Sequence, residues 1–146
     1  MTADFIPGPP ESKPLRASQH CRHYDYRNSW PWTSEDGSQC AVGLDNRSEP
    51  GAASACMPPD FQRGQTCPKR EDYTPEERAK WKAWRDRSLQ RAAVALSCIP
   101  KDSFGGSASC PACGPESGAV VRWSRARNNR HLAASCSTPG CMEIIQ

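Results

Sequence analysis

Nine cysteines occupy a chain of 146 residues, and four of them have the spacing of a metal site. Cys110-Pro-Ala-Cys113-Gly114 is a CxxC turn closed by glycine, and after 22 intervening residues comes a second close pair, Cys136-x4-Cys141. Two thiolate pairs on separate turns, joined by a β-hairpin, set four sulfurs at the corners of a tetrahedron, the geometry that Zn(II) takes. Gly114 supplies the positive φ that such a tight turn needs. Reading Cys110 and Cys113 as a thioredoxin-like redox pair lacks the surrounding βαβ pattern and leaves Cys136 and Cys141 without a role. The expectation is one Zn(II) held by Cys110, Cys113, Cys136 and Cys141.

Cys21, Cys40, Cys56 and Cys67 form a second set, separated by 18, 15 and 10 residues. No pair among them has knuckle spacing. Yet a stretch with four cysteines and almost no aliphatic side chains cannot offset its ordering entropy without a crosslink. Four thiolates on long loops suit a second Zn(II) or a [4Fe-4S] cluster equally. His23 stands two residues after Cys21 and offers an alternative ligand, although an exposed or aromatic-packed histidine is the plainer reading; His20 has no better claim. Cys98, left over, reads as a small apolar residue.

Composition agrees that something other than apolar burial orders this chain. Only 36% of residues are hydrophobic, with 14 Pro and 10 Gly, which argues against a large core. The segment "MTADFIPGPPESKPLRASQ" has neither the basic nor the apolar region of a signal peptide. No apolar run approaches the roughly 20 residues of a membrane span. A cytoplasmic protein with reduced thiols is therefore expected, and thiols in that setting favour metal over disulfides.

The elements that must position these cysteines follow in order. Residues 1–19 are expected to be a disordered tail, 20–73 an irregular four-cysteine module, 74–99 a helix, 100–109 a flexible linker and 110–146 a three-stranded antiparallel zinc ribbon. The fold class is a small metal-stabilised α+β protein. "YTPEERAKWKAWRDRSLQRAAVALSCIP" is the clearest local signal. Thr74 is placed as N-cap, Pro75 takes the first helical position and Glu77 completes a capping box, while Pro100 ends the segment. Trp81, Trp84 or Arg85, Ser88, Ala92 and Leu96 recur at helical spacing, which fits docking of the tryptophans against a cysteine module. Arg78, Lys80, Lys82, Arg85, Arg87 and Arg91 decorate the remaining surface as a solvated basic face. After Cys113, "AVVRW", "RNN", "HLAAS" and "MEII" alternate as short strands and a turn.

"CPACGPESGAVVRWSRARNNRHLAASCSTPGC" resembles the zinc ribbon at the C-terminus of many small, mostly uncharacterised bacteriophage and prophage proteins. "HCRHYDY", "CAVGLD", "CMPPD" and "CPKREDYTPEE" are similar to the N-terminal cysteine module of the same proteins, so the resemblance extends over nearly all of residues 20–146. It implies a phage or prophage origin, hence the cytoplasm of a bacterial host, and metal binding, without a settled activity.

The net charge of +3 is unevenly spread: residues 74–101 carry seven bases and three acids. A second concentration lies in "RWSRARNNRH", where Arg122, Arg125, Arg127 and Arg130 span a hairpin tip with Trp123 beside them. Displayed guanidiniums engage phosphates and an indole stacks on a base, which makes nucleic acid a candidate partner. A host protein complex is the other, through the Pro- and Trp-rich loops around "SWPW". An iron–sulfur redox sensor or carrier built on the first cysteine set is the third reading. No nucleophile–base set, phosphate loop or HExxH helix is visible, so neither an enzyme nor a small-molecule substrate is expected.

Overall fold

The computed structural model describes residues 5–27, 31, 37–42, 55–62, 64 and 67–145. Along them run β1 (Tyr24–Arg27), β2 (Gly37–Cys40), a 3-10 turn (Pro59–Phe61), α1 (Pro75–Leu96), β3 (Gly105–Ser109), a second 3-10 turn (Pro115–Ser117), β4 (Val120–Arg125), β5 (Leu132–Cys136) and β6 (Glu143–Ile145). The class is α+β with one long helix and antiparallel sheets. Among the described residues, no helix is long and apolar enough to cross a membrane. The chain divides into two compact units, Leu15–Trp81 on one hand and Met1–Pro14 with Lys82–Gln146 on the other.

In the first unit, β1 and β2 pair antiparallel with Tyr24 opposite Cys40 and Arg27 opposite Gly37. A module expected to be irregular thus contains a short two-stranded ribbon. Its four-residue strands are too brief for alternation to stand out in sequence. The start of α1 behaves as the capping box demands: the Glu77 N–H donates to Thr74 Oγ1 at 3.2 Å and the Thr74 N–H to Glu77 Oε2 at 2.8 Å. The guanidinium of Arg22 grips the same Glu77 with both terminal nitrogens, at 3.0 and 2.5 Å, and its Nε lies 3.0 Å from Glu71. That hydrogen-bonded cation holds the Glu77 carboxyl below the ordinary carboxylate range.

In the second unit, β3, β4, β5 and β6 form one antiparallel sheet in chain order. Four strands stand where three were expected, because "GGSAS", read as part of a flexible linker, is the edge strand β3. Its register sets Gly106 opposite Trp123 and Ala108 opposite Val121. A Cβ on Gly106 would stand 2.8 Å from the Trp123 ring, so the glycine is where the indole lies across the strand. The side chain of a neighbouring strand, not local propensity, makes this segment β.

The core of this unit gathers Ala95, Cys110, Ala112, Cys113, Ala119, Val121, Leu132, Ala134, Cys141 and Met142. The end of α1 contributes Ala95 to this core, with Ala92, Val94, Leu96 and Ile99 packed around the same centre. Cys98 packs there too, half-buried, and donates to the Ala95 carbonyl at 3.2 Å. The largest fully buried side chains are only Val121 and Cys110. So little aliphatic bulk leaves the cysteines at the middle of the core as its organising groups.

Residues 5–11 correct the expectation of a disordered tail over 1–19. The Gly8 N–H donates to the Ala112 carbonyl at 3.1 Å, the Trp84 indole N–H to the Glu11 carbonyl at 3.4 Å, and Arg87 pairs with the Glu11 carboxylate at 2.7 Å. Proline here fixes φ in advance and lowers the entropy of docking an extended segment.

Candidate metal centre

Each cysteine of the close-spaced set is delivered by an end of the sheet. Cys110 follows β3 directly, and its N–H donates to Ala119 at 2.8 Å across the first knuckle. Gly114 leaves that knuckle with φ of 88°. Cys136 is the last residue of β5; its N–H donates to Met142 at 2.9 Å, and the Cys141 N–H closes a turn onto Thr138 at 3.1 Å. Gly140, with φ of 75°, gives the second knuckle the left-handed residue that a side chain would strain. The Thr138 N–H points at Cys136 Sγ from 3.4 Å. Such N–H···S contacts stabilise a thiolate.

The four sulfurs lie within 4.8 Å of one another. Separations are 3.8 Å for Cys110–Cys141, 3.9 Å for Cys113–Cys136 and 3.5 Å for Cys113–Cys141. These are far too long for disulfides, whose sulfurs stand about 2.05 Å apart. They match the edge of about 3.8 Å in a tetrahedron with metal–sulfur bonds of about 2.3 Å. A polynuclear cluster would push the cysteine sulfurs further apart, because its inorganic core stands between them. The donor set therefore fits one thiophilic metal ion.

Proton chemistry points the same way. Burial, followed by the neighbouring thiols, pushes Cys141 up, and burial likewise raises Cys110. At Cys136 burial acts upward too, but the Thr138 N–H and the surrounding thiols outweigh it and the thiol is lowered. Four sulfurs this close cannot all ionise without a cation among them, so metal binding here must displace protons.

One further residue reaches the centre, and no local pattern marks it. Arg91, expected on a solvated face, is 8% exposed. Its Nη1 lies 3.8 Å from Cys141 Sγ and 4.0 Å from Cys113 Sγ, and donates to the Ala112 carbonyl at 3.2 Å. Among the other cations of α1, Lys82 pairs with Asp86, Arg85 lies 4.0 Å from the same carboxylate, and Arg87 holds Glu11.

The first cysteine set is arranged differently. Cys21 and Cys56 are each 4% exposed, and their backbones are joined by a 2.8 Å hydrogen bond from the Cys21 N–H to the Cys56 carbonyl. Burial, then the charges of Cys21, Cys40 and Cys67, pushes the Cys56 thiol up. Among the described residues their sulfurs do not meet at the spacing of the other set. His23 Nε2 faces Glu71 at 3.2 Å, and His20 stacks on Tyr24 with ring centres 4.9 Å apart. Both histidines thus have plainer partners than a metal.

The arginine hairpin is only partly displayed. Arg122, Arg127 and Arg130 are exposed, whereas Trp123 and Arg125 fall on the sheet face that Val121 buries. Trp123 lies over Gly106 and donates its indole N–H to Ser103 Oγ at 3.0 Å, so it is not free to stack on a base. Strand parity explains the correction, since residues 121, 123 and 125 share one face. The "SWPW" loop falls, except for Pro31, outside the described residues. Replacing Gly106 by Ala is expected to lift the indole from its strand and cost about 1–3 kcal/mol by overpacking. Chemical denaturation, with the Trp123 indole N–H resonance as local probe, measures it; an unshifted resonance at wild-type stability refutes the placement.

Comparison with known proteins returns no matching protein family and no significant match among curated proteins or solved structures.

Proposed function

We propose that this chain is a zinc-ribbon accessory protein of phage type, working in the bacterial cytoplasm, whose metal is structural and whose function is to bind nucleic acid. The reading begins with the four buried sulfurs. Four thiolates fill the tetrahedral shell of Zn(II) and leave no position for a reacting water, which favours a scaffold over an enzyme. The first unit carries a second metal, Zn(II) or an iron–sulfur cluster, on Cys21, Cys40, Cys56 and Cys67.

The observation that carries the binding reading is the stiff tip between β4 and β5. The Ala126 N–H donates to His131 at 3.0 Å, the Arg130 N–H to Ala126 at 2.9 Å, and the His131 N–H to Asn129 Oδ1 at 3.1 Å. Arg130 takes φ of 59°, a conformation that glycine or asparagine adopts at less cost, and its guanidinium lies 5.6 Å over the Phe104 ring. A hydrogen-bonded loop thus presents Arg127 and Arg130, with Arg122 exposed on the adjoining strand, to a phosphate backbone.

Salt dependence tests it. Three phosphate contacts predict a log–log slope near −2.7 on duplex DNA, a loss of about 40-fold between 50 and 200 mM salt. The triple variant Arg122→Gln, Arg127→Gln, Arg130→Gln should lose both the affinity and the slope. Binding that ignores salt, or a triple variant that binds like the wild type, rejects the nucleic-acid reading. A partner protein held with little salt dependence would favour the redirected host complex instead.

A further inference from the structure

Arg91 is a buried cation with two sets of partners, and the second set lies more than eighty residues away in the chain. Nη1 addresses the metal centre, through Cys113 Sγ, Cys141 Sγ and the Ala112 carbonyl. Nη2 donates to the Gly8 carbonyl at 2.7 Å and the Pro9 carbonyl at 3.0 Å, and the guanidinium carbon stands 5.6 Å over the Phe5 ring. The segment it holds runs across both knuckles. A Cβ on Gly114 would meet Pro7 at 3.5 Å, and one on Gly140 would meet Pro10 at 3.9 Å. The Gly8 N–H returns to the same Ala112 carbonyl that Arg91 bonds.

Charge gives this arrangement its consequence. Four thiolates around a divalent cation carry a net charge of about −2 in a nearly water-free setting, where an unpaired charge is costly. A buried guanidinium is costly for the same reason, and each offsets the other. Without the ion nothing holds Cys113 Sγ and Cys141 Sγ together where Nη1 reaches them. The same guanidinium that grips Gly8 and Pro9 then loses the sulfur partners that fix it in place.

We propose that Arg91 is a positioning residue that couples residues 5–11 to the metal, so that this segment is a strap docked by the loaded centre and released with the ion. The proposal rests on the reading that a thiophilic divalent cation occupies the four cysteines. Linkage makes the coupling reciprocal: whatever factor the metal adds to strap docking, the strap adds to metal retention.

The test uses the full chain loaded with Zn(II). Two quantities are read: the rate of zinc transfer to a chromogenic chelator, and hydrogen exchange of the peptide containing Gly8. Arg91→Met should release zinc about 10–100-fold faster, as loss of an outer-shell partner does, and should strip protection from residues 5–11. Arg91→Lys keeps the charge without the fork and should give intermediate values of both. Should Arg91→Met fail to fold, the double variant Phe5→Ala, Glu11→Ala touches only the strap and should still accelerate zinc release, while exchange in β4 and β5 stays at the wild-type level.

The two readouts must move together across the variants. Fast zinc loss with a fully protected strap, or a loosened strap with unaltered zinc retention, overturns the coupling while leaving the metal reading intact. A wild-type chain that binds no metal overturns both.

Discussion

Removing the metal from Cys110, Cys113, Cys136 and Cys141 is expected to unfold the C-terminal unit cooperatively, with loss of the near-UV signal from Trp123 and of strand circular dichroism. The magnitude follows from what else is in the core. Val121 is its largest fully buried aliphatic side chain, and the other members are mostly alanine and cysteine. A natural domain is stable by about 5–15 kcal/mol. Structural zinc sites return about 10–16 kcal/mol of apparent binding free energy at neutral pH. A zinc ion held here would therefore outweigh the whole margin. Cys113→Ser should act like chelation, because three thiolates and a poor hydroxyl ligand leave the knuckle open.

Cys98→Ser is the control. This half-buried sulfur packs at the edge of the core and donates to the Ala95 carbonyl, a bond that a hydroxyl keeps, so stability should change by no more than about 1 kcal/mol. A sheet that survives complete metal removal, with elemental analysis confirming the loss, would show that the sulfurs are passengers in an apolar core.

The contrast between the centre and its surroundings shows which features are legible in a sequence. Close-spaced cysteines on tight turns specify their own geometry, since the ligands, the glycines and the turn backbone all lie within a few residues. The capping box of Thr74 and Glu77 is local for the same reason. Residues 5–11 are not local at all. Their partners are Trp84, Arg87, Arg91 and Ala112, and the prolines that preset their extended shape are the residues that also mark disorder.

Arg91 is hidden by the same non-locality. Its neighbours on α1 are cations, and what makes burial tolerable is a group assembled from residues 21 to 50 positions away. β3 fails as a sequence signal because its glycine answers to the Trp123 ring and to no pattern of its own. The inward turn of Trp123 and Arg125 is legible in the sequence, because strand parity with Val121 fixes it even within a run of charges.

Replacing Cys56 by Ser is expected to cost the full chain one of two metal equivalents and to leave the zinc of the C-terminal unit in place. The first unit is stitched around that residue. The Arg70 guanidinium donates to the carbonyls on both sides of it, Ala55 at 2.8 Å and Met57 at 2.9 Å, and its N–H closes a turn onto Cys67 at 3.0 Å. The Glu71 N–H points at Cys21 Sγ from 3.5 Å, and the hairpin register places Cys40 opposite Tyr24, three residues from Cys21. Four separate segments thus carry the unit's thiols, although among the described residues their sulfurs are not drawn together as in the other set. Among the described residues of this unit the buried apolar ones are Ala17, Cys21, Ala55, Cys56 and Tyr73. On the proposed reading a shared cation would supply the missing attraction, and burial, followed by the neighbouring thiols, raises the Cys56 thiol in its absence. Elemental analysis of protein prepared without oxygen reads the stoichiometry, and colour reads the metal. A colourless chain with two zincs assigns Zn(II) to both centres, whereas a brown one assigns an iron–sulfur cluster to this unit. A single metal equivalent, unchanged in Cys56→Ser, would leave these thiols without a metal and the first unit ordered by its arginine contacts alone.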